Sequence, residues 1–504
     1  MDRDRTIIVS FARTHLVRLE RRGDGFGVVT TDSGLTCGTS CVGRVREGSV
    51  VEVSAEPAVG AGYVWTSGCT GAAACTLTIN ADTTVVAEFT VVRPQLAAGS
   101  GHSCLLLESG ALRCWGQSTA GQLGYGDRDT IGDDETPASK GDVPLGIDVV
   151  QVAAGGTHTC ILDAAGAVRC WGENTFGQLG QGHRGTVGDR PGSLPSGAPD
   201  VDLGGRALEI VLGGWHTCAR LDTGAVRCWG RNDAGQLGYG HTMPVGDGTN
   251  GLTSPAIAGD VPLGGRAVAL GAGASHTCAV VENRGVLCWG DNSTGQLGYA
   301  LAVNVGDGNA TAPTPESAGP LGLSVSDVVA VVGGFGHTCA RTTQGAVLCW
   351  GDARLGQLGS GSTAQVGGAS GRPISEASAV RLGGMNAAEL SCFIDHTCAR
   401  SPLGRVRCWG TGQFGQLGYD AVANVGDGVG DDPDRDVVLG STYFVDQVAT
   451  GARHSCALMR VGASLANSVI TCWGWGENGH LGYGNTQSIG DGMGPSPGAE
   501  APVF

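Results

Sequence analysis

Apolar side chains along this chain come in short runs and alternations. The stretch ALEIVLGG (207–214) is largely apolar, and CARL and AVRC flank Asp-Thr-Gly between Cys218 and Cys228. Nearer the N-terminus, SVVEVSAEP and CTLTINADTTVVAEF alternate apolar with polar positions. Alternation at period two sends successive side chains to opposite faces of a strand. Glycine, 90 of 504 residues with no collagen period, supplies the tight turns that many short strands need. The pattern predicts an all-β protein. No apolar run is long enough to span a bilayer.

The pattern also repeats. His-Ser/Thr-Cys occurs at His102, His158, His216, His276, His337, His396 and His454, at intervals of 56–61 residues. Each is followed by Cys-Trp-Gly, at Cys114, Cys170, Cys228, Cys288, Cys349, Cys408 and Cys472. Gly-Gln-Leu-Gly comes next, carrying Gln122, Gln178, Gln236, Gln296, Gln357 and Gln416, and the seventh copy reads Gly-His-Leu-Gly. A Val/Ile-Gly-Asp turn closes most copies, at Asp133, Asp189, Asp247, Asp307, Asp427 and Asp491, with Gly368 in that slot of the fifth.

The spacing predicts a hairpin in each copy. In the third, Gly224 can take the left-handed conformation that ends a three-residue loop. If Leu221 and Ala225 close that loop, Cys218 stands opposite Cys228 three steps out. There a non-hydrogen-bonded pair has Cα atoms roughly 4.5 Å apart, within disulfide range. The same pairing is expected for Cys104 with Cys114, Cys160 with Cys170, Cys278 with Cys288, Cys339 with Cys349 and Cys398 with Cys408. The fourth copy places Gly285 one position later, and the seventh separates Cys456 from Cys472 by sixteen, so their turns should differ. Reduced core cysteines in a cytosolic protein are the alternative. Zinc at His216, Cys218 and Cys228 lacks a recurring fourth ligand.

A unit of three or four short strands cannot bury both its faces, whereas seven arranged radially close a ring. The repeat Trp should pack between neighbouring sheets. On Gly-x-x-His-Ser/Thr, Trp-Gly and Gly-Gln-Leu-Gly, residues 94–504 resemble the regulator of chromosome condensation repeat family. The resemblance implies a seven-bladed β-propeller closed by strand exchange between its ends. APVF (501–504) stands where the next repeat's DVPL would begin, and should complete a blade with the strand near Gln95–Ala98. In copy six, Cys392 and Phe393 replace a small residue or Thr and then Gly, so the chain should bend differently before His396.

Residues 13–93 differ in kind. Cys37-Gly38-Thr39-Ser40-Cys41, Trp65, Cys69, Cys75 and the strand 82–89 resemble a divergent internalin B-type repeat, a small β module of bacterial surface proteins. Proximity favours Cys37 with Cys41 and Cys69 with Cys75 among the three possible pairings; a four-Cys zinc site competes. Residues 4–11 echo 82–89, so residues 1–12 read as the last strand of a preceding module. The natural start and a secretory signal are then expected upstream of Met1.

Composition narrows the function. The net charge is −16 and Lys140 is the only lysine. That argues against a nucleic-acid or anionic-membrane footprint. No phosphate loop or His-Glu-x-x-His helix occurs, so neither an enzyme nor a cofactor is expected. Asn424–Asp436 is acidic but lacks the ligand order and closing Glu of an EF-hand. Asx turns are the expected role of the Asp-Gly loops, and no metal is expected. Seven equivalent histidines read as structural, each bonding a neighbouring blade's backbone, and the repeat glutamines likewise.

Function should then lie where copies differ. Just before the repeat His they carry Trp215, Phe335, Phe393 and Arg453, types that anchor interfaces; filling the propeller's own channel is the competing role. Three functions remain: a monomeric interaction scaffold on a secreted or surface protein with an unidentified protein partner, a guanine-nucleotide exchange factor by family resemblance, and an inhibitor of an extracellular enzyme, as in a similar β-lactamase inhibitory propeller. Paired cysteines favour an extracellular or cell-surface location, with the cytoplasm as alternative. No copy has a long wedge insertion, and there is no basic arm, both of which the family's exchange factor uses.

Overall fold

The computed structural model describes residues 13–22, 27–32, 36–37, 40–57, 61–69, 75–91, 93–300, 303–312, 314–323, 327–368, 372–440, 442–462 and 468–498. The expected strand in residues 1–12 and the closing strand at 501–504 lie outside these residues. The chain divides into two compact units between Arg93 and Pro94, with Glu108–Gly110 grouped with the first.

Among its described residues the first unit has eight strands: β1 (Thr14–Arg22), β2 (Gly27–Thr31), β3 (Thr36–Cys37), β4 (Ser40–Arg46), β5 (Ser49–Pro57), β6 (Ala61–Ser67), β7 (Cys75–Ile79) and β8 (Thr83–Val91). They form two four-stranded sheets, ordered β4-β1-β8-β6 and β3-β2-β5-β7. β1 and β8 pair in parallel from Val17↔Thr83 to Arg22↔Glu88. Period-two alternation turns Val17, Leu19, Val29, Val51, Val53, Trp65, Ile79 and Val85 into one core shared by both sheets. Cys69 is bonded to Cys75. Cys41 is in a disulfide, but the Cys37 side chain of the expected pair lies outside the described residues.

Among its described residues the second unit contains seven three-stranded antiparallel sheets, each made of three consecutive strands. The third sheet shows the logic, with strands Ala207–Leu212, His216–Leu221 and Val226–Gly230. The Leu221 N–H donates to the Ala225 carbonyl at 2.8 Å, and Gly224 takes φ +82°. Cys218 therefore faces Cys228, and the two are bonded with Cα atoms 4.1 Å apart. The same cross-strand disulfide occurs in every sheet, at Cα separations of 4.0–4.1 Å.

The irregular copies differ where the sequence differs. In the fourth, Val281 pairs with Gly285 and Asn283 takes φ +59°. In the seventh, pairing runs on to Arg460↔Ser468 before the longer turn. In the sixth, Phe393 pairs with His396 and Ile394 is forced to φ +46°. Each third strand then ends on a glycine bridged to the later turn, as in Gly230↔Val245.

Neighbouring sheets meet through glycine. Gly235, at φ +79°, lies so close to the next copy's turn that a Cβ would stand 2.5 Å from the Asp307 nitrogen. Gly121, Gly177 and Gly415 abut Asp189, Asp247 and Asp491 in the same way, and Gly479 of the last copy abuts Asp133 of the first. The repeat tryptophans, from Trp115 to Trp473, are fully buried between these contacts.

Gly235→Ala combines a left-handed backbone with a backbone clash. It is expected to cost about 2 kcal/mol or more, read as a lower urea midpoint; an unchanged midpoint would contradict this packing.

Candidate functional site: the rim around the repeat histidines

Each repeat histidine reaches the next sheet. Nε2 of His102, His158, His216, His276 and His337 lies 2.8–3.0 Å from Oγ1 of Thr159, Thr217, Thr277, Thr338 and Thr397. His396 meets Ser455 at 2.9 Å, and His454 meets Ser103 at 2.8 Å. The last of these bonds returns to the first sheet, so the seven form a closed cycle. The expected backbone partner is thus corrected to a side-chain hydroxyl: the residue after each His offers the oxygen one sheet further on.

The hydroxyls point onward. Those of Thr159, Thr217, Thr277, Thr338 and Ser455 donate to the backbone carbonyls of Gln122, Gln178, Gln236, Gln296 and Gln416 at 2.7–3.1 Å. A hydroxyl that donates there accepts from the imidazole, which assigns the ring proton to Nε2. Nδ1 of all seven rings is buried with no partner among the described residues. Trp171, Trp229 and Trp473 donate their indole N–H to the same glutamine carbonyls. The glutamine side chains fold back onto their own turns, as when Gln236 Oε1 accepts from Ala234 N.

Burial fixes the charge of these rings. It pushes His102, His158, His216, His337 and His396 down to about 3 and His276 to about 4, and holds His454 well below the usual range. His480, in the last copy's glutamine slot, is also buried and lowered to about 4, first by burial and then by Arg453. It stacks on His454 at 5.4 Å and meets Trp475 edge-on at the same distance.

The first strands of all seven sheets line a cavity of about 250 Å³. Adjacent first strands are tied across it by amide side chains: Val152 N donates to Gln95, Ile210 N to Gln151 and Leu96 N to Gln447 at 2.7–3.0 Å. The Gln447 bond joins the last sheet to the first. Phe393 and Cys392 belong to this lining. Among the described residues, Cys392 is the free cysteine. Its sulfur lies 3.1 Å from His337 Nε2, and burial pushes the thiol up to about 12, so it fills space and stays protonated.

Of the other predicted rim residues, Phe335 is 57% exposed, Trp215 is half-buried and Arg453 exposed. The structure adds partners that the sequence reading missed. The Arg231 guanidinium lies 5.3 Å from the Phe176 ring and 5.1 Å from Trp215. The Arg453 guanidinium lies 4.7 Å from Phe414 and 4.6 Å from Trp475. Both trios occupy the same three slots: before Gly-Gln-Leu-Gly in one copy, and before the His and after Cys-Trp-Gly in the next. Arginine and tryptophan are simply exchanged between the last two slots. Other junctions carry sets such as Ala234, Ser275 and Asp291. Comparing slots across copies would have found all six residues.

The Asp-Gly loops are occupied by their own turns. Asp247 accepts from Thr249 N at 2.8 Å, Asp307 from Asn309 N at 3.0 Å and Asp491 from Met493 N at 2.9 Å. Among the described residues, Asp133, Asp134 and Glu135 bring three acidic ligand atoms within 4.8 Å of one another.

Comparison with known proteins now decides the family. The profile of the RCC1-like domain matches residues 133–497, and the regulator of chromosome condensation (RCC1) repeat matches 95–122. The chain belongs to the RCC1-like family. The ultraviolet-B receptor UVR8 of Arabidopsis thaliana is 31% identical over 78% of this chain and 79% of its own length. The secretion-regulating guanine nucleotide exchange factor of Bos taurus is 29% identical over 73% and 76%. The mouse ubiquitin ligase HERC2 matches 52% of this chain but only 5% of itself. In structure, yeast RCC1 (Prp20) bound to Kap60 superposes with a TM-score of 0.57 at 19% identity, over 79% of this chain and 83% of that one. This likeness carries the fold alone.

The buried imidazoles give the RCC1-like unit a pH dependence of definite sign. Their folded-state values lie below the unfolded value of about 6.5, so their contribution is complete above that pH and declines as pH falls below it. The decline is about 1.4 kcal/mol per pH unit for each ring that unfolding exposes. Seven rings acting together should unfold the unit steeply, well before the folded values of about 3 to 4 are reached. Tryptophan fluorescence with proton-uptake measurement should show several protons bound on acid unfolding; constant stability from neutral to strongly acid pH would refute the neutral ring.

Proposed function

We propose that the RCC1-like unit is a seven-bladed propeller acting as a non-enzymatic scaffold, with a protein partner held on the rim around the repeat histidines. The observation that carries this is the division of labour between slots. The His, Cys, Trp and Gly-Gln-Leu-Gly positions are spent on holding sheets together. Variation collects at the rim, and two junctions there carry Phe, Trp and Arg, the types that dominate binding energy at interfaces. Relatives are named as a receptor and an exchange factor, and a yeast neighbour is described by its binding to Gsp1p and histones.

The scaffold works in an oxidising compartment on this reading, as part of a secreted or surface protein, and residues 13–93 serve as an internalin B-type spacer. The seven hairpin disulfides support it. Non-reducing peptide mapping of protein from its native source should recover Cys218 joined to Cys228; free thiols there would place the protein in a reducing compartment.

Exchange-factor activity is the second reading, favoured by the bovine relative. Crosslinking and affinity capture with the full chain separate the two. The scaffold reading expects a partner whose recovery drops at least about ten-fold in a Trp215→Ala/Arg453→Ala double variant, without accelerated nucleotide release from any small GTPase captured. Faster release would favour the exchange factor, and no specific capture would refute both.

A further inference from the structure

The two aromatic–arginine trios look alike, yet their charges are not in the same state. Arg231 is ion-paired within its own loop, its Nη2 lying 2.5 Å from Asp233 Oδ2. Arg453 has no carboxylate or carbonyl within hydrogen-bonding reach among the described residues. Its guanidinium lies 4.7 Å from the Phe414 ring and 4.6 Å from the Trp475 ring, and because those rings are themselves only 5.8 Å apart, tilted by 44°, it rests against both from one side. His480, which the Arg453 charge also acts on, is held neutral by burial. The side chain is nonetheless exposed.

Contact with two ring faces orients a guanidinium while leaving its N–H edge open. The edge of such a group matches the two oxygens of a carboxylate, and the ordering cost of the arginine is already met by the rings. The rest of the molecule limits what can bring that oxyanion. A chain of net charge −16 repels a polyanion over a Debye length, whereas a single carboxylate on an otherwise non-acidic segment can approach.

We propose that Arg453, resting against Phe414 and Trp475, is the open carboxylate receptor of the rim among the described residues, and that it takes an Asp or Glu side chain from a non-acidic segment of a protein partner. The equivalent site at Phe176, Trp215 and Arg231 is closed by Asp233, so the partner is read at one junction of the seven. This inference rests on the scaffold reading and gives that rim its ligand chemistry.

The test uses the full chain on an array of short random-sequence peptides, each printed with a central Asp, Asn or phosphoserine, beside a single-stranded oligonucleotide. Wild type should retain Asp peptides about ten-fold over their Asn twins, as two charge-assisted hydrogen bonds imply. Arg453→Gln should bring that ratio to about one. Arg453→Lys should do nearly the same, because an ammonium lacks the planar fork, while Arg435→Gln, at an arginine set over Tyr419 outside these slots, should keep the wild-type ratio. Each variant is first shown to unfold in urea like wild type; the Lys variant covers the case in which Gln disturbs the rim. A ratio near one in wild type, a preference that survives Arg453→Gln or Arg453→Lys, or stronger capture of phosphopeptide or oligonucleotide would each overturn the proposal. If affinity capture still recovers a partner while the array shows no Asp preference, the carboxylate site fails and the scaffold stands.

Discussion

A neutral imidazole donating to a hydroxyl on the next sheet is the contact on which the larger unit depends. Each such bond contributes only about 1 kcal/mol net. Its weight comes from position: the ring, the hydroxyl and the glutamine carbonyl beyond are all buried, and an orphaned buried polar group costs about 1–3 kcal/mol. Removing one imidazole therefore unsettles a hydroxyl of the next copy and a carbonyl of its own copy together. The cycle closes through His454 and Ser103, which are 351 residues apart. Trp115 donating to the His480 carbonyl and Gln447 pairing with Leu96 close it again at two other depths. First and last sheets are thus joined by the same kinds of contact that join consecutive ones.

The disulfides do something different. Each lies within one sheet, closing a loop of ten or sixteen positions, and none of the seven links two sheets. On the chain-entropy description each would constrain the unfolded chain by about 3 kcal/mol or less. They hold hairpins, while the imidazole relay, the tryptophans and the glycine contacts hold hairpins to one another. Reduction and acid thus attack separate layers of the structure.

Distance along the chain decided what could be read from the sequence. The Cys218–Cys228 pairing follows from a turn of three residues, so counting from Gly224 sets the register. The cross-sheet partner of His216 is Thr277, 61 positions away, and no local pattern distinguishes its hydroxyl from a backbone group. The departure of copy six was legible because Cys392 and Phe393 replace residues suited to a turn; the structure answers with Ile394 in the left-handed region. The stacked trios were half legible. Trp215 and Arg453 stand out within their own copies, but Phe176 and Phe414 come from the preceding copies and Arg231 and Trp475 from the far end of a hairpin, so only a comparison of equivalent slots assembles them.

That comparison also explains why arginine and tryptophan can trade places. The slots before the His and after Cys-Trp-Gly sit side by side at the open end of one hairpin, and a cation over a ring is attracted whichever strand supplies it. The fold requires neither the stack nor its order, so these slots can vary at little cost to the sheets. The charge left over is then set outside the stack, by whether a neighbour such as Asp233 answers it. Both the presence of a stacked arginine and its neutralisation thus vary between junctions, and at Arg453, which has no carboxylate partner among the described residues, the N–H edge faces solvent.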